Sequence, residues 1–79
     1  GNKAKIESNS FVFKKGESKK KVKTNLKNII EAIMTPVKSP PDTYLITFFT
    51  DKKIVNGKVT FFRKPATENE EMEYTLIGE

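Results

Sequence analysis

The fold of this chain depends on residues 18–36, which read SKKKVKTNLKNIIEAIMTP. Apolar positions recur through this stretch and the residue after it at spacings of four, three, one, three and four, at Val22, Leu26, Ile29, Ile30, Ile33 and Val37. Such spacing is typical of one apolar stripe on a helix with about 3.6 residues per turn. Ser18 is a suitable N-cap, and Pro36 lacks the N–H that would continue a helix. The pattern therefore predicts a helix over residues 19–34.

The segments around this helix have the composition of strands, and they cover residues 10–14, 43–50, 54–64 and 72–77. β-branched and aromatic residues, which fit a pleated surface, dominate the second and third of them. Within the third, Asn56 and Gly57 are the strongest short signal for a hairpin, because a type I′ turn needs positive φ at both central residues. The last segment alternates apolar and polar residues, as a half-buried strand does.

The predicted order of elements is β-α-β-β-β within a single small domain, residues 1–79. We expect an α+β fold with two layers, in which one helix packs across an antiparallel sheet. This order is similar to the topology of cystatin-like and β-grasp domains, which implies a binding or inhibitor module. One helix covers one face of the sheet, so we expect the other face to be open and to carry the function.

The composition excludes most catalytic chemistry. The 79 residues include 15 basic and 10 acidic side chains, a net charge of +5, and neither histidine nor cysteine. Histidine-based triads, cysteine nucleophiles and cysteine-bound zinc are therefore excluded, and we expect no enzymatic activity, cofactor or metal. No apolar run approaches the ~18 residues that a transmembrane segment needs. Residues 1–38 hold ten lysines and three glutamates, a net of +7, which favours an anionic partner.

A hairpin that turns at Asn56 and Gly57 pairs residues whose numbers add up to 113, such as Val55 with Lys58. Alternation along its arms then places five residues toward the helix: Ile46, Phe48, Ile54, Val59 and Phe61. The residues on the open face are Phe49, Asp51, Lys53, Thr60, Phe62 and Lys64. Phe49 and Phe62 are diagonal neighbours in this register, near enough for their rings to touch. A bulge at residues 51–53 would shift the register and exchange the two faces.

Two phenylalanines among lysines on an open sheet face form an arrangement that single-stranded nucleic-acid-binding proteins use. Three further lysines, Lys19, Lys20 and Lys21, fall in the first turn of the predicted helix, where free N–H groups and positive charge attract phosphate. The alternative interpretation of these three is a solvated lysine surface. The predicted binding residues are Phe49, Phe62, Lys53, Thr60, Lys64, Lys19, Lys20 and Lys21.

The function predicted from these patterns is that of a non-enzymatic, basic binding module for single-stranded RNA or DNA. The alternative is a protein-interaction or inhibitor-like domain, in which the open face or a sheet edge docks a protein partner or a second copy. The two hypotheses differ in their dependence on salt. Phosphate binding weakens steeply as salt rises, whereas a hydrophobic protein interface responds weakly.

Overall fold

The computed structural model describes residues 3–38 and 47–79. This part of the chain contains six strands and no helix. The strands are β1 Lys5–Phe13, β2 Lys19–Lys23, β3 Ile29–Pro36, β4 Phe48–Thr50, β5 Lys58–Arg63 and β6 Glu70–Gly78. They form two three-stranded antiparallel sheets. The first, sheet A, has the order β1-β6-β3, and the second, sheet B, has the order β2-β5-β4.

The prediction of an α+β fold is wrong, and so is the helix over residues 19–34. The segment forms β2, a connection over residues 24–28 and β3, and the two strands belong to different sheets. The apparent helical stripe does not form one buried face, because Val22, Leu26 and Ile29 are buried, whereas the other three members are exposed: Ile30, Ile33 and Val37. The similarity to cystatin-like and β-grasp topologies depended on that helix and falls with it.

Several local forces in this segment oppose a helix. Lysines in a first helical turn would face the positive end of the macrodipole. Isoleucine, valine and threonine lose side-chain freedom in a helix but fit a pleated strand, and such residues are frequent here. Asn25 and Asn28 favour a turn, where their side chains can bond to nearby backbone groups. Pairing with distant strands then decides the outcome, since β2 pairs with β5 and β3 pairs with β6.

The strands differ in extent from those predicted. The strand predicted over residues 10–14 begins earlier, at Lys5, and that predicted over 72–77 becomes Glu70–Gly78. The hairpin arms predicted over 54–64 reduce to β5 and an isolated bridge between Val55 and Lys58. Of the strand predicted over 43–50, residues 43–46 lie outside the described part of the chain, and β4 covers Phe48–Thr50.

The core lies between the two sheets. Its largest fully buried side chains are Phe13, Met72 and Leu76 from sheet A, and Val59 and Phe61 from sheet B. Strand β6 is central in sheet A and alternates strictly, with even-numbered residues inward and odd-numbered residues outward. Burying one apolar side chain of this size stabilises the fold by about 1.5–3 kcal/mol, so these five residues are the main hydrophobic contribution.

A buried ion pair joins the two sheets. Arg63, the last residue of β5, donates through Nη1 to the carboxylate of Glu70, the first residue of β6. The two side chains are 3% and 7% exposed. The guanidinium carbon of Arg63 also lies 5.3 Å from the ring centroid of Phe13 and 5.5 Å from that of Phe48, and its Nε donates to the carbonyl oxygen of Lys64 at 2.7 Å. Aromatic rings and hydrogen bonds thus surround the charge that burial removes from water.

Polar contacts also fasten the connections between the sheets. The turn after β1 docks on the segment after β5, with Gly16 N donating to Ala66 O at 2.7 Å and Ala66 N donating to Glu17 O at 3.0 Å. The connection after β2 is held by Glu7 of β1, whose carboxylate accepts bonds from the Thr24 hydroxyl at 2.6 Å and the Asn25 N–H at 2.9 Å. The first set of contacts joins two connections between the sheets, and the second holds the end of β2 near β1.

Replacing Glu70 with alanine tests the ion pair. The variant leaves the guanidinium of Arg63 buried without its counter-charge, so we expect the free energy of unfolding to fall by about 3–5 kcal/mol. Urea denaturation followed by circular dichroism measures the change. Glu71→Ala is the matched control, because it removes the same charge from an exposed neighbour and should change stability by at most about 0.5 kcal/mol. Equal losses in both variants would show that Arg63 does not depend on Glu70.

Candidate functional site

The outward positions of sheet B form one surface, which we call the basic face. Its members are Lys19, Lys21 and Lys23 from β2, Lys58, Thr60 and Phe62 from β5, and Phe49 from β4. Residues opposite one another in an antiparallel pair share a face, so these side chains form rows across the sheet. One end of the face carries the two aromatic rings beside Lys19, and the other end carries Lys23 opposite Lys58.

Phe49 and Phe62 are stacked on this face. Their ring centroids are 5.1 Å apart, and their planes differ by 18°. Phe49 is 62% exposed, and Phe62 is half-buried. A large exposed aromatic ring on a three-residue edge strand contributes little to the core, so its surface is available for a ligand.

The register that brings the two rings together differs from the expected one. Val55 pairs with Lys58, as the sum of 113 requires, but Thr50 pairs with Phe61 and Phe49 lies directly opposite Phe62. The first arm therefore has two extra residues between these pairs, in a segment where Lys52 adopts a φ of 61°. An excess of one residue would exchange the faces, whereas an excess of two preserves them. Phe49 and Phe62 thus share a face as neighbours across the strands rather than as diagonal ones.

The opposite side of the same strands meets the core. Val59 and Phe61 are buried, and Phe48 and Ile54 are half-buried against the core cluster. Ile46, expected on this side too, lies outside the described residues. These side chains pack against sheet A instead of the expected helix.

The three consecutive lysines separate into two environments. Strand alternation directs Lys19 and Lys21 to the basic face, whereas Lys20 lies opposite the buried Phe61. The Nζ atom of Lys20 bonds both carboxylate oxygens of Glu17, at 3.0 and 3.1 Å. The expected anion site at a helix N-terminus is therefore wrong, because residues 19–23 form a strand, and Lys20 belongs to an ion pair rather than to the basic face.

The remaining predicted residues lie at or near this surface. Lys53 and Thr60 line a depression of about 190 Å³ together with Lys21 and Lys58. Asp51 also lines it and accepts a bond from the backbone N–H of Lys53 at 2.9 Å. Lys64 is exposed just beyond the end of β5, where its carbonyl oxygen receives the Arg63 bond described above.

Sequence reasoning missed two residues of the basic face, Lys23 and Lys58. The signal for the first was present, because Lys19, Lys21 and Lys23 alternate with a period of two, as outward residues of a strand do. The prediction of a helix hid that period. The signal for Lys58 was present too, because it has the same parity as Thr60 and Phe62 in β5, and alternation along the strand places all three on one side.

The pKa of the Glu17 carboxyl is lowered below its ordinary value. The main cause is the backbone N–H of Lys14, which donates to Oε1 at 2.7 Å, and the ammonium group of Lys20 is the second. Both favour the ionised carboxylate. A carboxyl whose pKa is lowered by folding stabilises the folded state above its unfolded pKa, and this stabilisation is lost as the pH falls through its folded pKa.

Other features of the structure bear on function. Within residues 3–38 and 47–79, no group of three or more acidic side chains is placed to hold a metal ion. The described part of the chain also contains no helix that could span a membrane. Comparison with protein-family models, curated proteins and solved structures yields no match.

Replacing Phe49 with alanine should leave the domain folded. The exposed ring contributes mainly through its partner Phe62, and we expect a loss of about 0.5–1.5 kcal/mol, the value of an aromatic pair. Phe61→Ala is the matched control. The same substitution on the core side of sheet B leaves a cavity and should lower the free energy of unfolding by about 3–5 kcal/mol. Urea denaturation gives both values. If Phe49→Ala destabilised the protein as much as Phe61→Ala, Phe49 would belong to the core.

The ion pair of Lys20 can be tested through Glu17. NMR titration of the side-chain carboxyl carbon should give Glu17 a pKa below its ordinary value, and Lys20→Met should raise that pKa only part of the way back, because the bond from Lys14 remains. Lys19→Met, which removes the same charge from the basic face, is the control and should have a smaller effect. An equal rise in both variants would mean that general charge, rather than the pair, lowers this pKa.

Proposed function

We propose that this protein is a non-enzymatic binding module that holds single-stranded RNA or DNA on the basic face. The observation that carries the proposal is the exposed Phe49–Phe62 stack in one row with Lys19. A base can extend this stack on the ring of Phe49, because every base has a flat π surface that stacks without regard to sequence. Such stacking contributes about 1–3 kcal/mol per base.

The lysines of the basic face support the same ligand. Lys19, Lys21 and Lys23 stand roughly 7 Å apart along β2, since a strand rises about 3.3 Å per residue. Lys58 and Lys53 line the same depression as Thr60, so two further cations lie on this surface next to the aromatic stack. A row of exposed ammonium groups beside stacked rings suits a polyphosphate chain whose bases are unpaired.

The charge of the basic face also favours nucleic acid over the alternative, a protein partner. Four outward lysines on one small sheet repel a basic protein surface, and they would lose their hydration against an apolar one. Phe49 and Phe62 are the apolar contribution of this face. The inhibitor-like form of the alternative depended on a helix that residues 19–34 do not form. A protein partner would have to be acidic and would still respond more weakly to salt than phosphates do.

Salt dependence is the first test. With about five lysines at phosphates, the logarithm of the association constant should fall with the logarithm of salt concentration at a slope near −3.5, or ~−0.7 per contact on a single strand. Fluorescence anisotropy of a labelled single-stranded oligonucleotide of mixed sequence measures the slope, with DNA and RNA in separate titrations. A slope near zero would contradict phosphate binding.

Two variants locate the site. Phe49→Ala should weaken oligonucleotide binding by roughly 5- to 150-fold, which corresponds to about 1–3 kcal/mol, without unfolding the domain. Lys19→Glu/Lys21→Glu should abolish binding, while the matched variant Lys5→Glu/Lys27→Glu should retain most of it. Lys5 pairs in sheet A, and the backbone N–H of Lys27 donates to Glu79, the residue after β6, so the control changes net charge equally but away from the face. Equal losses in both double variants would mean that binding depends on net charge alone.

A further inference from the structure

The outward positions of sheet A form a second surface, which we call the acidic face. Its acids are Glu31 of β3 and Glu71 and Glu73 of β6, and its register positions among the described residues include no lysine or arginine. Its main apolar side chains are Ile6, Ile77 and Ile33, of which Ile6 is 69% exposed. The two outer faces of this sandwich therefore carry charges of opposite sign.

The two faces also match in the arrangement of apolar and charged groups. On the acidic face, Ile6 and Glu31 flank Ile77 at one end. Glu71 and Glu73 occupy the other part of β6, where Val12 lies beside Glu71. On the basic face, Phe49 and Phe62 occupy one end, and Lys23 and Lys58 occupy the other. If the basic face of one copy lies on the acidic face of another in the matching direction, the phenylalanine rings contact isoleucines and the ammonium groups contact carboxylates.

We propose that this protein self-associates by placing the basic face of one copy on the acidic face of the next. Because the two faces lie on opposite sides of one sandwich, a stack of any length still offers one free basic face at one end and one free acidic face at the other. The contact is heterologous and does not close, so the product is a series of growing oligomers rather than a dimer. The inference is independent of nucleic-acid binding, although an oligonucleotide on the basic face would compete with the stack.

The size of the faces sets the strength of the contact. Three strands about 4.8 Å apart and roughly six residues long give a face of about 14 by 20 Å, or ~280 Å² for each copy. A standard stable interface buries about 800 Å² on each side, so stacking should be weak and reversible. The net charge of +5 opposes association over long distances. At about 0.1 M salt the Debye length of ~10 Å screens that repulsion more than it screens ion pairs in contact.

Analytical ultracentrifugation of the purified chain tests the proposal. At about 0.1 M salt, the average sedimentation coefficient should rise with protein concentration up to ~1 mM and should not level off at the value for a dimer. Association should decrease several-fold when the salt concentration is raised fivefold. A monomer throughout this range, or a closed dimer, would overturn the proposal.

Charge reversal identifies the faces. Glu71→Lys/Glu73→Lys and Lys21→Glu/Lys23→Glu should each abolish association. In the first variant both faces are positive, and in the second two lysines and two glutamates cancel on the basic face. An equimolar mixture should associate again, since the native basic face of the first variant finds its complement in the native acidic face of the second. Association that survives either reversal, or a mixture that stays monomeric, would show that the contact lies elsewhere.

Milder variants keep the test valid if a reversal impairs folding, which circular dichroism would show. Glu73→Gln and Lys23→Gln change exposed side chains and should leave the fold intact. Each should reduce the association constant several-fold, whereas Glu68→Gln, in the exposed loop between β5 and β6, should leave it unchanged. Equal reductions in all three variants would overturn the assignment of the acidic and basic faces.

Discussion

The pairing of Arg63 with Glu70 between the two sheets is the constraint on which the rest of this structure depends. Arg63 ends the central strand of sheet B, and Glu70 begins the central strand of sheet A. A three-stranded sheet of short strands needs a second layer to be stable. The pair, enclosed by Phe13 and Phe48, sets the point at which the chain leaves one layer and enters the other. Because side chains alternate along a strand, holding Arg63 and Glu70 inward also fixes which residues of β5 and β6 face the core.

That alternation separates stability from binding within single strands. In β5, Val59 and Phe61 fill the core, while Thr60 and Phe62 face outward. Neighbouring residues of similar chemistry, such as Phe61 and Phe62, therefore have different roles. The same rule divides the charge of the molecule by face, so that lysines collect outside sheet B and glutamates outside sheet A. A chain with a modest net charge thereby presents two strongly charged surfaces.

Much of the candidate site could be predicted from the sequence because its signals are local. Asn56 and Gly57 adopt positive φ and reverse the chain, and the alternation beside them places Phe49 and Phe62 on one side. The two-residue excess before Val55 was not predictable, because nothing in the local composition requires it. This excess left the assignment of residues to the two faces correct, since an even number of extra residues preserves the alternation. Lys20 was misassigned because its direction depends on whether residues 19–23 form a helix or a strand.

The sequence by itself determined the turn at Asn56 and Gly57, the outward aromatic pair and the excess of lysine in the first half of the chain. Each of these follows from the preferences of a few adjacent residues. Only the tertiary structure decided that residues 19–36 form two strands in different sheets. Their partners, β5 and β6, are distant in the chain. The free energy of pairing with these strands outweighs the small stabilisation that an N-cap and helix propensity would give a helix here, while the lysines at its start would oppose the helix dipole.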